Sequence, residues 1–265
     1  MKHIDIEYPK NKETRFVELI LKWGKKNKRS FPWRRSRTPY KMLLAEILLQ
    51  RTPANRVADF FPELVEKFPS PQSLARSDIT DLEEFLHPMG LKKRAKWLIS
   101  LMKEVCEKYD CTIPDKEKEL IKFPGVGLYT ARAILCFGFG KGVSIVDVNV
   151  ARVLLRVFGV LERKRRPTED VELWSFATSL LPKKQAVSYN EALLDFAILV
   201  CKKRPLCNTC PLSHVCDYFS STSTLASPNP ALSLPSPSKS LLSLMRIAFR
   251  SKTSMKRLCT LKTLL

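Results

Sequence analysis

Along nearly all of this chain apolar residues recur at helical spacing, and strict polar-apolar alternation is almost absent. That periodicity predicts an all-α fold. Thr38-Pro39 reads as a cap and first-turn proline opening the helix YKMLLAEILLQ, and Pro53 opens another with Val57, Phe60, Phe61, Leu64 and Phe68 along one side. After Gly90, one stripe gathers Leu91, Ala95, Leu98, Met102 and Val105, with Lys92, Lys93, Arg94 and Lys96 elsewhere. Further helices are expected over roughly 116–122, 128–138, 148–158, 169–181 and 187–200.

A chain of 265 residues, 45% hydrophobic, can bury a true core. Its net charge of +20 predicts attraction to a polyanion, a nucleic acid or an acidic membrane face. No apolar signal region opens it, and no stretch approaches the ~18 apolar residues of a membrane span. The expectation is a soluble intracellular protein without a membrane partner. From Ser220 to Leu265 the composition shifts to Ser, Pro and Thr, with no acidic residue, which predicts a disordered basic tail. Taking away its seven Lys and Arg leaves +13 of the charge on residues 1–219, so the body is basic too.

In FPGVGLYTARAIL, Phe123 to Leu135, Pro124 ends one helix and the glycines allow backbone conformations or approaches that a Cβ would obstruct. The next helix would begin with unpaired amides facing the turn, a place for a phosphate oxygen. Gly125, Val126, Gly127 and Thr130 are therefore candidate DNA-backbone contacts; a turn that only packs is the plainer alternative. Four cysteines, Cys201, Cys207, Cys210 and Cys216, follow one another with gaps of five, two and five residues, a set that can close on zinc or on iron-sulfur. Cys106, Cys111 and Cys136 lie among apolar residues and read as ordinary core thiols. His214, inside the cysteine run, is expected to face solvent.

Five segments in fixed order, FPWR, TPYKMLLAEILLQRT, FPGVGLYTARAIL, VDVNVARVLLRVFG and the cysteine run, resemble the endonuclease III and MutY superfamily of DNA glycosylases. The resemblance implies a two-lobed helix-hairpin-helix fold: an N-terminal helix in 1–37 packing with the second lobe, a helical barrel over 38–145 bearing the hairpin, a lobe over 146–219 holding the cysteine loop, and the tail 220–265. It implies a [4Fe-4S] cluster rather than zinc, although the usual first gap in the family is six residues. Double-stranded DNA with a mispaired or damaged base is the implied partner, and a monomer the implied state. In a prokaryote such a protein would be cytoplasmic and nucleoid-associated.

Breaking a base-sugar bond builds positive charge on the sugar, so an anion near the sugar and an acid near the base would serve. Asp147 opens a helix in VSIVDVNVARVLL, twenty positions after Gly127, where the family places its catalytic aspartate; a plain helix cap is compatible with that role. Glu46 has only Met42, Leu43, Leu49 and Gln50 as helical neighbours and should stay partly protonated, or else pair with a distant Arg. Tyr129 stands where bifunctional relatives carry a lysine, and a phenol cannot form a Schiff base, which predicts hydrolysis by water with little lyase action. Gln50 and Arg51 match a site from which relatives insert a side chain into the base stack. Trp33, Arg34, Arg152 and the Lys92-Lys93-Arg94 run stay open between DNA contact and structural roles. LLQRTPA and VDVNV look closer to thymine-guanine mismatch glycosylases than to MutY, so thymine or uracil opposite guanine is the favoured substrate. Adenine opposite guanine or 8-oxoguanine, and a non-catalytic DNA-structure binder, are the alternatives.

Overall fold

A computed structural model describes residues 11–159 and 169–225, and those residues are helical with no β-strand among them. Residues up to Ser223 form one unit, and the account below concerns it alone. Thirteen helices are described: α1 Lys12–Asn27, α2 Pro32–Arg35, α3 Pro39–Leu49, α4 Ala54–Lys67, α5 Pro71–Ala75, α6 Ile79–Leu86, α7 Arg94–Tyr109, α8 Glu117–Leu120, α9 Leu128–Ala133, α10 Val148–Phe158, α11 Val171–Ser179, α12 Ala186–Leu199 and α13 Asp217–Leu225. No described helix is long and apolar enough to cross a membrane.

The caps follow the sequence. Thr38 accepts from Lys41 N ahead of Pro39, Asp170 accepts from Glu172 N and Leu173 N, and Asn11 from Thr14 N. Fully buried Leu43, Leu44, Ala45 and Ile47 show that α3 is buried on most of its sides, and it runs through the interior rather than over the surface. Around it pack α4, α9 and a wide π-helical turn, Ile134–Gly138, that continues α9; α5 and α6 pack on α7. The second group joins α1 and α10 to α12. Gly138 lies against Pro39, where a Cβ would come within 2.8 Å of the Pro39 Cα, and that close approach seats α3 on the hairpin helix.

Buried ions lock the N-terminal segment to α12. Asp195 is fully buried and accepts from Arg29 N (3.0 Å), Arg29 Nε (2.8 Å) and both terminal nitrogens of Arg34 (2.7 and 3.1 Å). Glu191, next along α12, takes Arg37 (2.6 Å) and Lys28 (2.7 Å). These contacts hold the Asp195 carboxyl below its ordinary range although burial pushes the other way.

Two expectations are corrected. Cys106 and Cys111 are not free core thiols but a disulfide: Asp110 and Cys111 take left-handed backbone (φ 48° and 54°), which doubles the chain back over the end of α7. The tail does not begin at Ser220, since α13 runs to Leu225, its early turns held by Ser220 Oγ on Cys216 O and Thr222 Oγ1 on Tyr218 O. The rest of that tail lies outside the described residues. Arg152, left open by sequence, takes a structural role: it donates to Ala197 O and Cys201 O (both 2.9 Å), satisfying carbonyls at and just beyond the end of α12.

Candidate active site

Asp147 caps α10. One oxygen accepts from Asn149 N (2.9 Å) and Val150 N (2.7 Å), the other from the Asn149 side-chain amide (2.6 Å). Arg152 in turn donates to the Asn149 side-chain oxygen at 3.1 Å, so a basic residue one turn into α10 orients the amide that orients the carboxylate. Capping thus fixes the rotamer of Asp147 and leaves the group half-buried, with lone pairs to spare.

Glu46 sits in the middle of α3 with 7% of its surface exposed. Its carboxyl is pushed up to about 8, first by burial and then by the negative charge of Asp147, with Arg34 pulling the other way. Tyr129, in the first turn of α9, has its phenol held well above the usual range by burial, then by the charges of Glu46 and Asp147, again against Arg34. The three side chains therefore feel one another in one place: α3 brings Glu46, the hairpin helix brings Tyr129 and the start of α10 brings Asp147. A neutral carboxylic acid, a neutral phenol and a hydrogen-bonded carboxylate can donate a proton, orient a base and stabilise a developing cation. Arg34, left open by sequence, faces this group from its seat on Asp195 and Glu191. Trp33 is core, stacked on Phe31 at 4.8 Å.

In the hairpin, Gly125 is left-handed (φ 75°), as only glycine does without strain. The Val126 amide donates to Phe123 O (3.1 Å), closing the turn, and its side chain is buried; Thr130 is buried too. Only backbone groups of those two could reach a phosphate, and for Val126 the N–H is already committed. The first intrahelical bond is Ala131 N on Gly127 O (2.9 Å), so the amides of the first turn of α9 precede any helical partner. Gln50 donates its side-chain amide to Gly125 O at 3.1 Å, and Arg51 is an exposed, left-handed residue (φ 58°) just beyond α3.

Sequence missed what lies behind the hairpin. Trp97 donates to Pro124 O (2.9 Å), and a Cβ on Gly125 would lie 2.4 Å from its ring. Neither a solvated residue nor a phosphate ligand, Arg94 donates to Ile47 O and Leu48 O. Lys92 pairs with Glu83 at 3.1 Å. Gly125→Ala is expected to cost about 1–2 kcal/mol through its backbone conformation alone, with further loss from the indole contact. Thermal melting and duplex titration check it, and equal melting and affinity for variant and parent would show the turn to be unconstrained.

Cys201, Cys207, Cys210 and Cys216 line one small, partly open apolar pocket together with Val157, Phe196 and Leu212. Among the described residues no three His, Cys, Asp or Glu side chains are grouped to hold a single metal ion. Arg156 holds the shortened loop by donating to Lys202 O (2.7 Å) and Lys203 O (3.1 Å), and His214 is exposed as expected.

Comparison with known proteins agrees with this architecture. Residues 44–176 match the family described as the HhH-GPD superfamily base excision DNA repair protein. A thymine/uracil-DNA glycosylase of Pyrobaculum aerophilum is 37% identical over 212 residues, 78% of this chain and 92% of that one. A thymine-DNA glycosylase of Aeropyrum pernix is 35% identical over 209 residues, 77% and 92% of the two chains. The solved structure of a thermostable thymine-DNA glycosylase superposes with a TM-score of 0.76 at 32% identity, covering 79% of this chain and 97% of that one. Hairpin, capped aspartate and cysteine-lined cavity thus lie on a scaffold shared with these enzymes, and the chain belongs to the HhH-GPD superfamily of base excision DNA repair proteins.

Proposed function

We propose that this protein is a mismatch DNA glycosylase that removes thymine or uracil opposite guanine, using Asp147, Glu46 and Tyr129. The carrying observation is the convergence of a neutral Glu46, a neutral Tyr129 and a capped Asp147 carboxylate in one place, supported by the relatives' activity on thymine and uracil. First-turn amides of α9 and the glycines Gly125 and Gly127 grip a phosphate, and Gln50 and Arg51 enter the stack as the target nucleotide leaves it. Glu46 passes its proton to the departing base as the N-glycosidic bond breaks, while Asp147 stabilises the cationic sugar. Water then adds to the anomeric carbon and gives up its proton to a carboxylate, leaving an abasic site. Tyr129 orients the base and, being a phenol, offers no amine for strand cleavage.

We assign an iron-sulfur centre rather than zinc to the four thiols, which line one apolar pocket, on the resemblance of their run to that of the endonuclease III superfamily. Such a centre would tie residues 201–216 into one rigid loop. We assign residues 38–145 to the barrel lobe, 1–37 with 146–219 to the other, and a monomer as the acting form.

The test incubates purified protein with duplexes holding one T:G, U:G, A:G or A:8-oxoguanine pair, followed by alkali. Cleavage at thymine and uracil is expected, with iron and acid-labile sulfide in the same preparation. Cleavage of adenine strands alone would replace this substrate with the less favoured one, no cleavage would leave a DNA-binding protein, and zinc without iron would overturn the cluster.

A further inference from the structure

The opening turns of α7 touch both of the elements assigned to DNA. Arg94, the first residue of that helix, is partly buried and donates from one nitrogen to Ile47 O (2.6 Å) and Leu48 O (2.9 Å), and from the other to Gln50 O. Those carbonyls belong to the last turn of α3, which has no basic residue of its own and would otherwise end with them unsatisfied. One turn further along α7, Trp97 bonds Pro124 O and lies flush against Gly125. Between the two, Gln50 bridges from the α3 end to Gly125 O. Arg51, immediately after, holds a left-handed backbone that a non-glycine residue adopts only when its surroundings impose it.

We propose that Arg94 and Trp97 are positioning residues for nucleotide extrusion: from one face of α7 they hold the Gln50–Arg51 turn in register with the Gly125 loop, so that entry into the base stack and the grip on the backbone act on the same step of DNA. This rests on reading Gln50 and Arg51 as the residues that enter the stack. Arg94 lies at the far side of those carbonyls and contributes through them. A planar fork is what three carbonyls at a helix end require, and an ammonium cannot span them equally.

The experiment places 2-aminopurine beside the uracil of a U:G duplex and follows its fluorescence on mixing with intact protein, alongside affinity and the single-turnover rate. Arg94→Met is expected to keep affinity within about threefold while slowing both the fluorescence rise and base removal by about tenfold or more, as small misplacements of a reacting assembly do. Arg94→Lys keeps the stem and the charge and should fall between, and it serves also if Arg94→Met does not fold. An unchanged fluorescence rise in the variants, or a loss that only tracks weakened binding, would overturn the proposal. Gln50→Ala, run in parallel, separates the two layers: a normal fluorescence rise there removes the stack-entry reading and this inference with it. A lost rise in Gln50→Ala beside a normal one in the Arg94 variants removes this inference alone.

Discussion

Asp147→Asn is expected to lower the single-turnover rate of base removal by about a thousandfold or more, because a fixed charge opposite a developing cation is worth several kcal/mol in a dry site. Affinity for a T:G duplex should stay within a few-fold. Asparagine is as good a cap as aspartate, and its side-chain oxygen can still accept from Asn149 N and Val150 N. The substitution removes charge with little change in shape. It also sets an amide donor against the Asn149 side-chain amide where an oxygen had accepted, so melting should fall modestly, by about 1–2 kcal/mol of stability. A variant that turns over normally per bound complex but binds poorly would reassign Asp147 from chemistry to structure.

The second large effect concerns Glu46. Its carboxyl is pushed up to about 8, so it carries a proton at neutral pH and loses it as pH rises through that value. Base removal should therefore decline on the alkaline side with a midpoint near 8. Glu46→Gln should abolish that decline and cost about a hundredfold or more at neutral pH, the usual worth of a positioned acid. Stability should fall over the same rise of pH. An acid whose value rises from 4.5 to about 8 on folding binds more protons folded than unfolded, so the fold weakens as pH climbs across that window. Glutamine, uncharged throughout, escapes this, and Glu46→Gln should melt higher than the parent at the alkaline end. A Gln variant with an unaltered pH-rate profile would take the acid role from Glu46.

Sequence made the helical class legible and marked two of the candidate site residues by local signals, while Tyr129 was marked through the family resemblance alone. Asp147 is a cap at the right distance from a glycine turn, and Glu46 is a lone carboxylate on an apolar helix. Phe123 to Leu135 shows its turn in its glycines, and the helices opened by Thr38-Pro39 and Pro53 begin where their caps say. What was hidden is long-range. Nothing near Arg94 tells that its partners are carbonyls 44 to 47 positions earlier, and Arg34 gave no hint of Asp195. The Cys106–Cys111 bridge depended on left-handed Asp110 and Cys111, residues that composition does not mark. For Val126, the turn's own need for a closing hydrogen bond used the amide that the motif seemed to offer.

The salt links between the N-terminal segment and α12 set an order of events during synthesis. Arg29 and Arg34 close on Asp195 across 166 and 161 positions of chain, so these arginines leave the ribosome long before their counterion exists. An uncompensated buried charge costs several kcal/mol, so the amino-terminal helix has no stable seat until α12 has emerged. At translation rates of about 5–20 residues per second, that wait lasts roughly ten to thirty seconds, in which the nascent protein needs some other shelter for Phe16 and Ile20.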